Sequence, residues 1–203
     1  MKTTNTSERL GLCTFRDLQE FNKVTYGNIN ARNFEILEIA CRLARYASRI
    51  TLWVRKEEGG RTGYHLSMLL SWLSALANRL SVSMSEELTR SCKVEGERNQ
   101  SLQELQDVFS DRYVGVSLQS ATLCLAEKIL AIVAALEYYV ETHQMEFLHE
   151  AVKRMAQSVE ATCVVASKLE VDLEEEFRTI FSAGCPKCSQ VPCACGFRTD
   201  KVV

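Results

Sequence analysis

The sequence predicts an all-α protein, and three observations carry that expectation. Both prolines, Pro186 and Pro192, lie near the C-terminal end, and the stretch between Gly115 and Gly184 contains neither glycine nor proline. No segment alternates apolar and polar residues as a half-buried strand does, whereas apolar residues recur at helical spacing along most of the chain.

The elements follow in order. Residues 1–12 are expected to be disordered, and residues 13–90 form a first helical unit. Thr14-Phe-Arg-Asp17 places a Thr N-cap three residues before an acid, starting a helix that turns Phe15, Leu18 and Phe21 inward and stops near Gly27. A second helix, about Asn33 to Arg55, sets Leu37, Ala40, Ala44, Ala47 and Thr51 on its inner side and Glu38, Arg42, Arg45 and Arg49 on the other. Glu57 to Gly63 is glycine-rich and reads as a flexible connection. A third helix spans about Tyr64 to Leu80, and Ser83-Met-Ser-Glu86 caps a short fourth. Residues 91–100 are polar, as a linker would be.

The pattern then starts again over residues 101–183. Ser101-Leu-Gln-Glu-Leu-Gln-Asp-Val108 repeats Thr14-Phe-Arg-Asp-Leu-Gln-Glu-Phe21 in residue class at every position but the third, and Tyr26-Gly27 is echoed by Tyr113 and Gly115. At an offset two residues longer, Leu80-Ser-Val82 falls on Leu169-Glu-Val171, Ala77 on Ala166 and Glu38 on Glu127. The chain is therefore expected to be a tandem duplication whose copies bury their apolar faces on one another. Within the second copy, no residue from Ile129 to Leu136 is polar, so this helix is expected to be the centre of the bundle, covered on every side. Glu127, Lys128 and Glu137 interrupt it, which argues against a membrane span.

Composition narrows the classes. The 203 residues are 46% apolar, enough for a sizeable core. A net charge of −2 gives no electrostatic reason to expect nucleic acid or an anionic membrane as partner. The start, MKTTNTSERLGLC, lacks the apolar core of a signal peptide, so a cytoplasmic location is expected. Nine cysteines is an odd number, and Cys13, Cys41, Cys92, Cys124 and Cys163 are scattered singly, so no disulfide framework is expected. Cys41, Cys124 and Cys163 fall in apolar helical patterns, where a free Cys is usually a small core residue.

The sharpest local motif is a knuckle over residues 184–197, followed by a tail, 198–203. Asp172 to Glu175 caps a last helix to about Phe181, Gly184 ends it, and Cys185, Cys188, Cys193 and Cys195 follow within a few residues of one another. Two closely spaced Cys pairs suit tetrahedral Zn²⁺, in a structural role because four thiolates leave no open coordination position. The competing readings are an unmetallated thiol tail and a redox Cys-x-x-Cys, which expects a βαβ context absent here.

The Leu-Gln cap helix, the long helix, Trp72-Leu-Ser-Ala-Leu-Ala-Asn-Arg-Leu80 and the cysteine tail together resemble the MazG-like, all-α nucleoside triphosphate pyrophosphohydrolases, as two such units. The resemblance implies cleavage of nucleoside triphosphates to monophosphate and pyrophosphate, with Mg²⁺ held by a Glu-Glu-x-x-Glu motif on one helix and a Glu-x-x-Asp motif on the next. It also implies sites built by helices of two units, hence a homodimer. Here the first motif falls on Glu38, Ile39 and Arg42 and on Glu127, Lys128 and Ala131; the second falls on His65 and Met68 and on Arg154 and Gln157. Only the first Glu survives in each copy, and Mg²⁺ requires hard oxygen ligands. Arg42, His65, Lys128, Lys153 and Arg154 occupy or adjoin places where acids would hold the metal, and with Asn78 they form the candidate nucleotide or anion site.

The chain is thus expected to be a catalytically degenerate unit that binds a nucleoside triphosphate or a protein partner as a regulatory subunit. One alternative is a divergent Mg²⁺-dependent pyrophosphohydrolase using Glu38, Glu127 and acids such as Glu35, Glu150 or Glu160. The other is a scaffold. The bland reading of the basic residues is a solvated helix face with i,i+4 pairs. Elsewhere, Gly59 to Gly63 lacks the ending of a phosphate loop, and His65, His143 and His149 form no i,i+4 pair. Trp72, Tyr138 and Tyr139 sit at helical spacing, as core aromatics do.

Overall fold

The computed structural model describes residues 14–56, 59–93 and 100–195. The segment 1–12, most of the linker and the tail 198–203 lie outside the described residues. Those described fold into helices α1 (Phe15–Asn33), α2 (Ile36–Arg55), α3 (Gly59–Arg79), α4 (Met84–Cys92), α5 (Leu102–Arg112), α6 (Leu118–Thr142), α7 (Met145–Lys168) and α8 (Leu173–Phe181). The sole extended pairing among them is an isolated antiparallel bridge between Thr14 and Ser101.

Local chemistry sets the starts. Thr14 Oγ1 accepts the Asp17 N–H at 3.1 Å while the Asp17 carboxylate accepts the Thr14 N–H at 2.9 Å. Ser101 and Glu104 repeat this box at 3.0 and 2.7 Å, satisfying backbone donors that a helix start leaves open. Ser83 and Asp172 cap α4 and α8 through the N–H groups of Glu86 and Glu175.

The two halves share a tertiary device. From α1, the Gln19 side chain donates to the Val82 carbonyl at 2.9 Å and accepts the Met84 N–H at 2.9 Å. From α5, Gln106 donates to the Val171 carbonyl at 2.8 Å and accepts the Leu173 N–H at 3.2 Å. Each amide bridges the turn between two helices, and each turn holds a left-handed residue, Ser81 in one and Glu170 in the other. The Thr14–Ser101 bridge joins equivalent positions of the halves, which are therefore related by an approximate two-fold.

The helices lie in layers. α3 and α7 touch at the centre; α1 and α8 cover α3, α5 and α4 cover α7, and α2 and α6 pack on each other over the opposite side of the α3–α7 pair. Each half thus buries helices of the other, and apolar burial supplies the main driving force.

This arrangement corrects several expectations. α6 is not the covered centre of the bundle, which is formed by α3 and α7: Leu123, Leu130 and Tyr138 of α6 are 64%, 60% and 54% exposed. Its apolar circumference reports two environments, a core on one side and an open face on the other. Cys163 is buried, but Cys41 and Cys124 are exposed rather than core. On α2 the buried set is Ile39, Ala40, Leu43, Ala47, Ile50 and Val54, so the inner face is rotated from the expected one and Leu37, Ala44 and Thr51 lie at its edge. α1 continues through Gly27 to Asn33, since a helical glycine costs only roughly 1 kcal/mol. α3 begins at Gly59, so the glycine-rich stretch is helical from there on. A Cβ at Gly63 would come within 3.2 Å of the Glu176 carboxyl carbon, which shows what the glycine allows: close approach of α8.

Candidate metal centre and inter-helical clefts

After α8 the chain folds back on itself. Gly184 adopts φ +96, and a Cβ there would lie 2.8 Å from the Gln190 carbonyl oxygen, so the return requires glycine. Cys185 N–H donates to the Gln190 carbonyl at 3.2 Å and Ser189 N–H to the Cys185 carbonyl at 2.7 Å, closing a tight loop. The Sγ atoms of Cys185, Cys188, Cys193 and Cys195 all lie within 4.8 Å of one another. The Cys185–Cys195 and Cys188–Cys193 pairs are each separated by 3.7 Å. Four convergent sulfurs can hold a metal ion. Burial raises the Cys185 thiol, but hydrogen bonds from the Lys187 and Cys188 amides override it, bringing the group down to about 6 and favouring the thiolate that metals bind.

The knuckle does not hang free. Cys193 N–H donates to the Thr25 carbonyl of α1 at 2.8 Å, and Tyr26 of α1 lies close enough to Cys185 to interact with it electrostatically. Burial, reinforced by the charge on Cys185, pushes the Tyr26 hydroxyl well above its usual range. Just before the knuckle, Phe177 and Phe181 of α8 meet Phe21 of α1 edge-on at 6.3 and 5.5 Å. The last element of the second half is thereby fastened to the first element of the first half.

The candidate nucleotide residues do not form one site. In the first half, Arg42 lies over the rings of Phe34 and Trp72 at 5.3 and 5.9 Å, and those rings meet edge-on at 5.4 Å. His65 is about 10 Å further along α3, counted at 1.5 Å per residue. It is buried among the rings of Tyr46, Trp53 and Tyr64, and its Nδ1 has no hydrogen-bond partner. Burial, with the Arg49 charge, lowers its pKa. Asn78 donates its amide to the Gln19 carbonyl at 2.8 Å, which ties α3 to α1. It also lines a polar groove of about 1070 Å³ between α1, α3 and α4, where basic Arg16, Lys23 and Arg79 alternate with acidic Asp17, Glu20 and Glu86.

In the second half, Lys128 lines a cleft of about 430 Å³ with Tyr113, Cys124, Gln157, Glu160 and Ala161. Arg154 adjoins it indirectly, donating to Glu150 at 2.6 Å and to Gln157 at 3.1 Å, whereas Lys153 is exposed. The two halves differ at one residue of this cleft. Ala161 stands ten residues before Val171 and Trp72 ten before Val82, so the first half carries an indole, packed on Phe34 and under Arg42, at the sequence position that Ala161 holds in the second.

The acids are engaged separately. Glu38 accepts the Glu35 N–H at 2.8 Å as part of a capping box. Glu127 is exposed and lies 3.6 Å from Lys128. Glu160, one of the acids named for the hydrolase alternative, accepts from Arg112 at 2.9 Å and from the Tyr113 hydroxyl at 3.2 Å, and burial together with its charge pushes the Cys92 thiol up. Among the described residues, the four cysteines are the sole group of three or more His, Cys, Asp or Glu side chains whose ligand atoms converge. No described helix is long and apolar enough to cross a membrane. No family model matches this chain, and no significant match was found among curated proteins or solved structures.

Proposed function

We propose that this chain is a catalytically degenerate, tandem MazG-like protein that binds a nucleotide in its second-half cleft and acts as a regulatory subunit, with a structural zinc in its C-terminal knuckle. The observation that carries the reading is the inequality of the two halves at this position. The first half carries Trp72 at the position of Ala161, the second has a cleft open beside Lys128, and among the described residues no set of carboxylates such as a Mg²⁺-dependent hydrolase needs converges. A cleft of about 430 Å³ is within the range of small-molecule sites. Tyr113, Val116, Ala121 and Val164 offer apolar surface to a base, Gln157 an amide, and Lys128 a cation to phosphate. Zinc is supported by the donor set: tetrahedral Zn–S bonds of about 2.3 Å place sulfurs about 3.8 Å apart, close to the 3.7 Å of both paired separations.

The test is to incubate the protein with a pool of ribo- and deoxyribonucleoside triphosphates, with Mg²⁺ and separately with a Mg²⁺ chelator too weak to strip the thiolate site. Free and bound fractions are then analysed by mass spectrometry. Retention of an intact nucleotide without Mg²⁺, lost in Ala161→Trp and weakened at least tenfold in Lys128→Gln, is the expected result. Monophosphate and pyrophosphate formed only with Mg²⁺ would establish the hydrolase instead, and retention of nothing would favour a scaffold.

A further inference from the structure

The net charge of −2 hides a division within the chain. After Glu38, every charged residue of α2 and of α3 is basic. Glu57 and Glu58, between the two helices, lie outside the described residues. Arg42, Tyr46, Arg49, Trp53 and Lys56 recur at alternating steps of four and three, so cations and rings alternate along one stripe, about 21 Å long at 1.5 Å per residue. The stripe lies on the flank of α2 that meets α3: Arg42 stands over Trp72, and the rings of Tyr46 and Trp53 lie 5.8 and 6.3 Å from that of His65. Arg49 stands over Tyr46 at 5.9 Å. Lys56 and, from the first turn of α3, Arg61 stand over Trp53 at 5.0 and 4.7 Å. Exposed Arg45 borders the stripe. Among the described residues, no carboxylate pairs with Arg45, Arg49 or Lys56.

Like charges gathered on one line repel, and an anionic strand relieves that repulsion while releasing its own counterions. A guanidinium lying over a ring is pre-oriented and keeps its N–H edge for phosphate. His65 is the hub of the ring cluster: it is 8% exposed, its Nδ1 has no hydrogen-bond partner, and Tyr64 meets it edge-on at 5.4 Å. Tyr64 itself is 39% exposed, the most accessible ring of the cluster. We propose that this face of α2 and α3 binds single-stranded nucleic acid, with phosphates along Arg45, Arg49, Lys56 and Arg61 and an unpaired base on Tyr64. The occupant follows from charge and from the ring together. The stripe is longer than the triphosphate of one nucleotide and suits a run of phosphates. A duplex keeps its base faces stacked inside and an acidic peptide carries no base, so the exposed ring favours the single strand. None of these residues lines the second-half cleft, so failure of strand binding leaves the nucleotide reading standing, and the reverse holds as well.

The test is fluorescence anisotropy of labelled strands of about twelve nucleotides, dT or U, titrated with the full metal-loaded chain beside a duplex and a polyglutamate of the same length. The single strands are expected to bind, with the duplex and polyglutamate weaker by roughly tenfold or more. About four neutralised phosphates, at a slope near 0.7 each, predict a roughly 50-fold loss of strand affinity from about 50 to 200 mM salt. Arg45→Gln with Lys56→Gln, both at exposed positions, should keep the wild-type helicity by circular dichroism, weaken the strand roughly tenfold or more and flatten that salt dependence. Tyr64→Ala should weaken the strand about tenfold with the salt slope unchanged, the mark of a stacked base rather than of another phosphate. A preference for the ribo or the deoxy strand fits equally, since both offer phosphates and unpaired bases. Polyglutamate bound as tightly as the strands would make the face a site for acidic peptides instead. A preference for the duplex, affinity unmoved by both variants or by salt, or no binding at about 50 mM salt would each overturn the proposal.

Discussion

Gln106 is buried and uses both ends of its amide, one on the Val171 carbonyl and the other on the Leu173 N–H. Gln106→Leu removes both partners at once and leaves an enclosed backbone donor unmet, so chemical denaturation should show a loss of about 2–4 kcal/mol. Gln19→Leu should cost less, because Gln19 is only half-buried and its surroundings admit water. Equal losses would mean that the two bridges are not distinguished by burial. His65 supports a prediction in pH. Its folded-state pKa lies below the usual value near 6.5 because its aromatic surroundings and Arg49 disfavour the cation. Above about pH 6.5 neither state is protonated and the group costs nothing; as pH falls below that value the unfolded chain takes up a proton first, so stability declines. The urea midpoint of the wild type should therefore fall more steeply between pH 7.5 and 5.5 than that of His65→Phe. Parallel slopes in the two proteins would remove His65 as the source.

At the scale of elements, what was legible in the sequence was local. The capping residues Thr14, Ser83, Ser101 and Asp172 mark helix starts that the structure reproduces, because a cap needs only its own first turn. The four-cysteine cluster was legible for the same reason, since its ligands share one short loop. What depends on partners was not. The apolar run of α6 could not reveal which side stays open, because hydrophobicity records a preference for burial and not its occurrence. Periodicity likewise placed the inner face of α2 partly wrong, since Ala44 and Thr51 satisfy a helical stripe as well as Leu43 and Ile50 do. The helical start of α3 was hidden because the need for glycine at Gly63 comes from α8, more than a hundred residues away. In the candidate site, Lys128 was visible as a charge, but the contrast between Trp72 and Ala161 acquires meaning only when α3 and α7 are seen as counterparts.

The whole molecule is closed by its C-terminal end. α8 packs on α1 through Phe177, Phe181 and Phe21, and the knuckle adds polar ties to α1, a hydrogen bond from Cys193 to Thr25 and an electrostatic contact between Tyr26 and Cys185. A bound metal fixes the four sulfurs and so holds those ties in place, while the α3–α7 core does not depend on it. Removing the metal should therefore loosen one end of the protein without unfolding the bundle. Losing one hydrogen bond of about 1 kcal/mol corresponds to a fall of roughly 2–4 °C in the thermal midpoint of a domain this size. The check is to measure metal content, helicity and midpoint before and after treatment with a strong thiol-competitive chelator at pH 7.5. About one zinc per chain, retained helicity and a midpoint lowered in that range are expected, with protease cleavage appearing first after Phe181. Cys188→Ser should reproduce the shift and be insensitive to chelator. Complete unfolding on metal loss would instead make the knuckle a condition of the fold, and an unchanged midpoint would show that α8 is held by its phenylalanines alone.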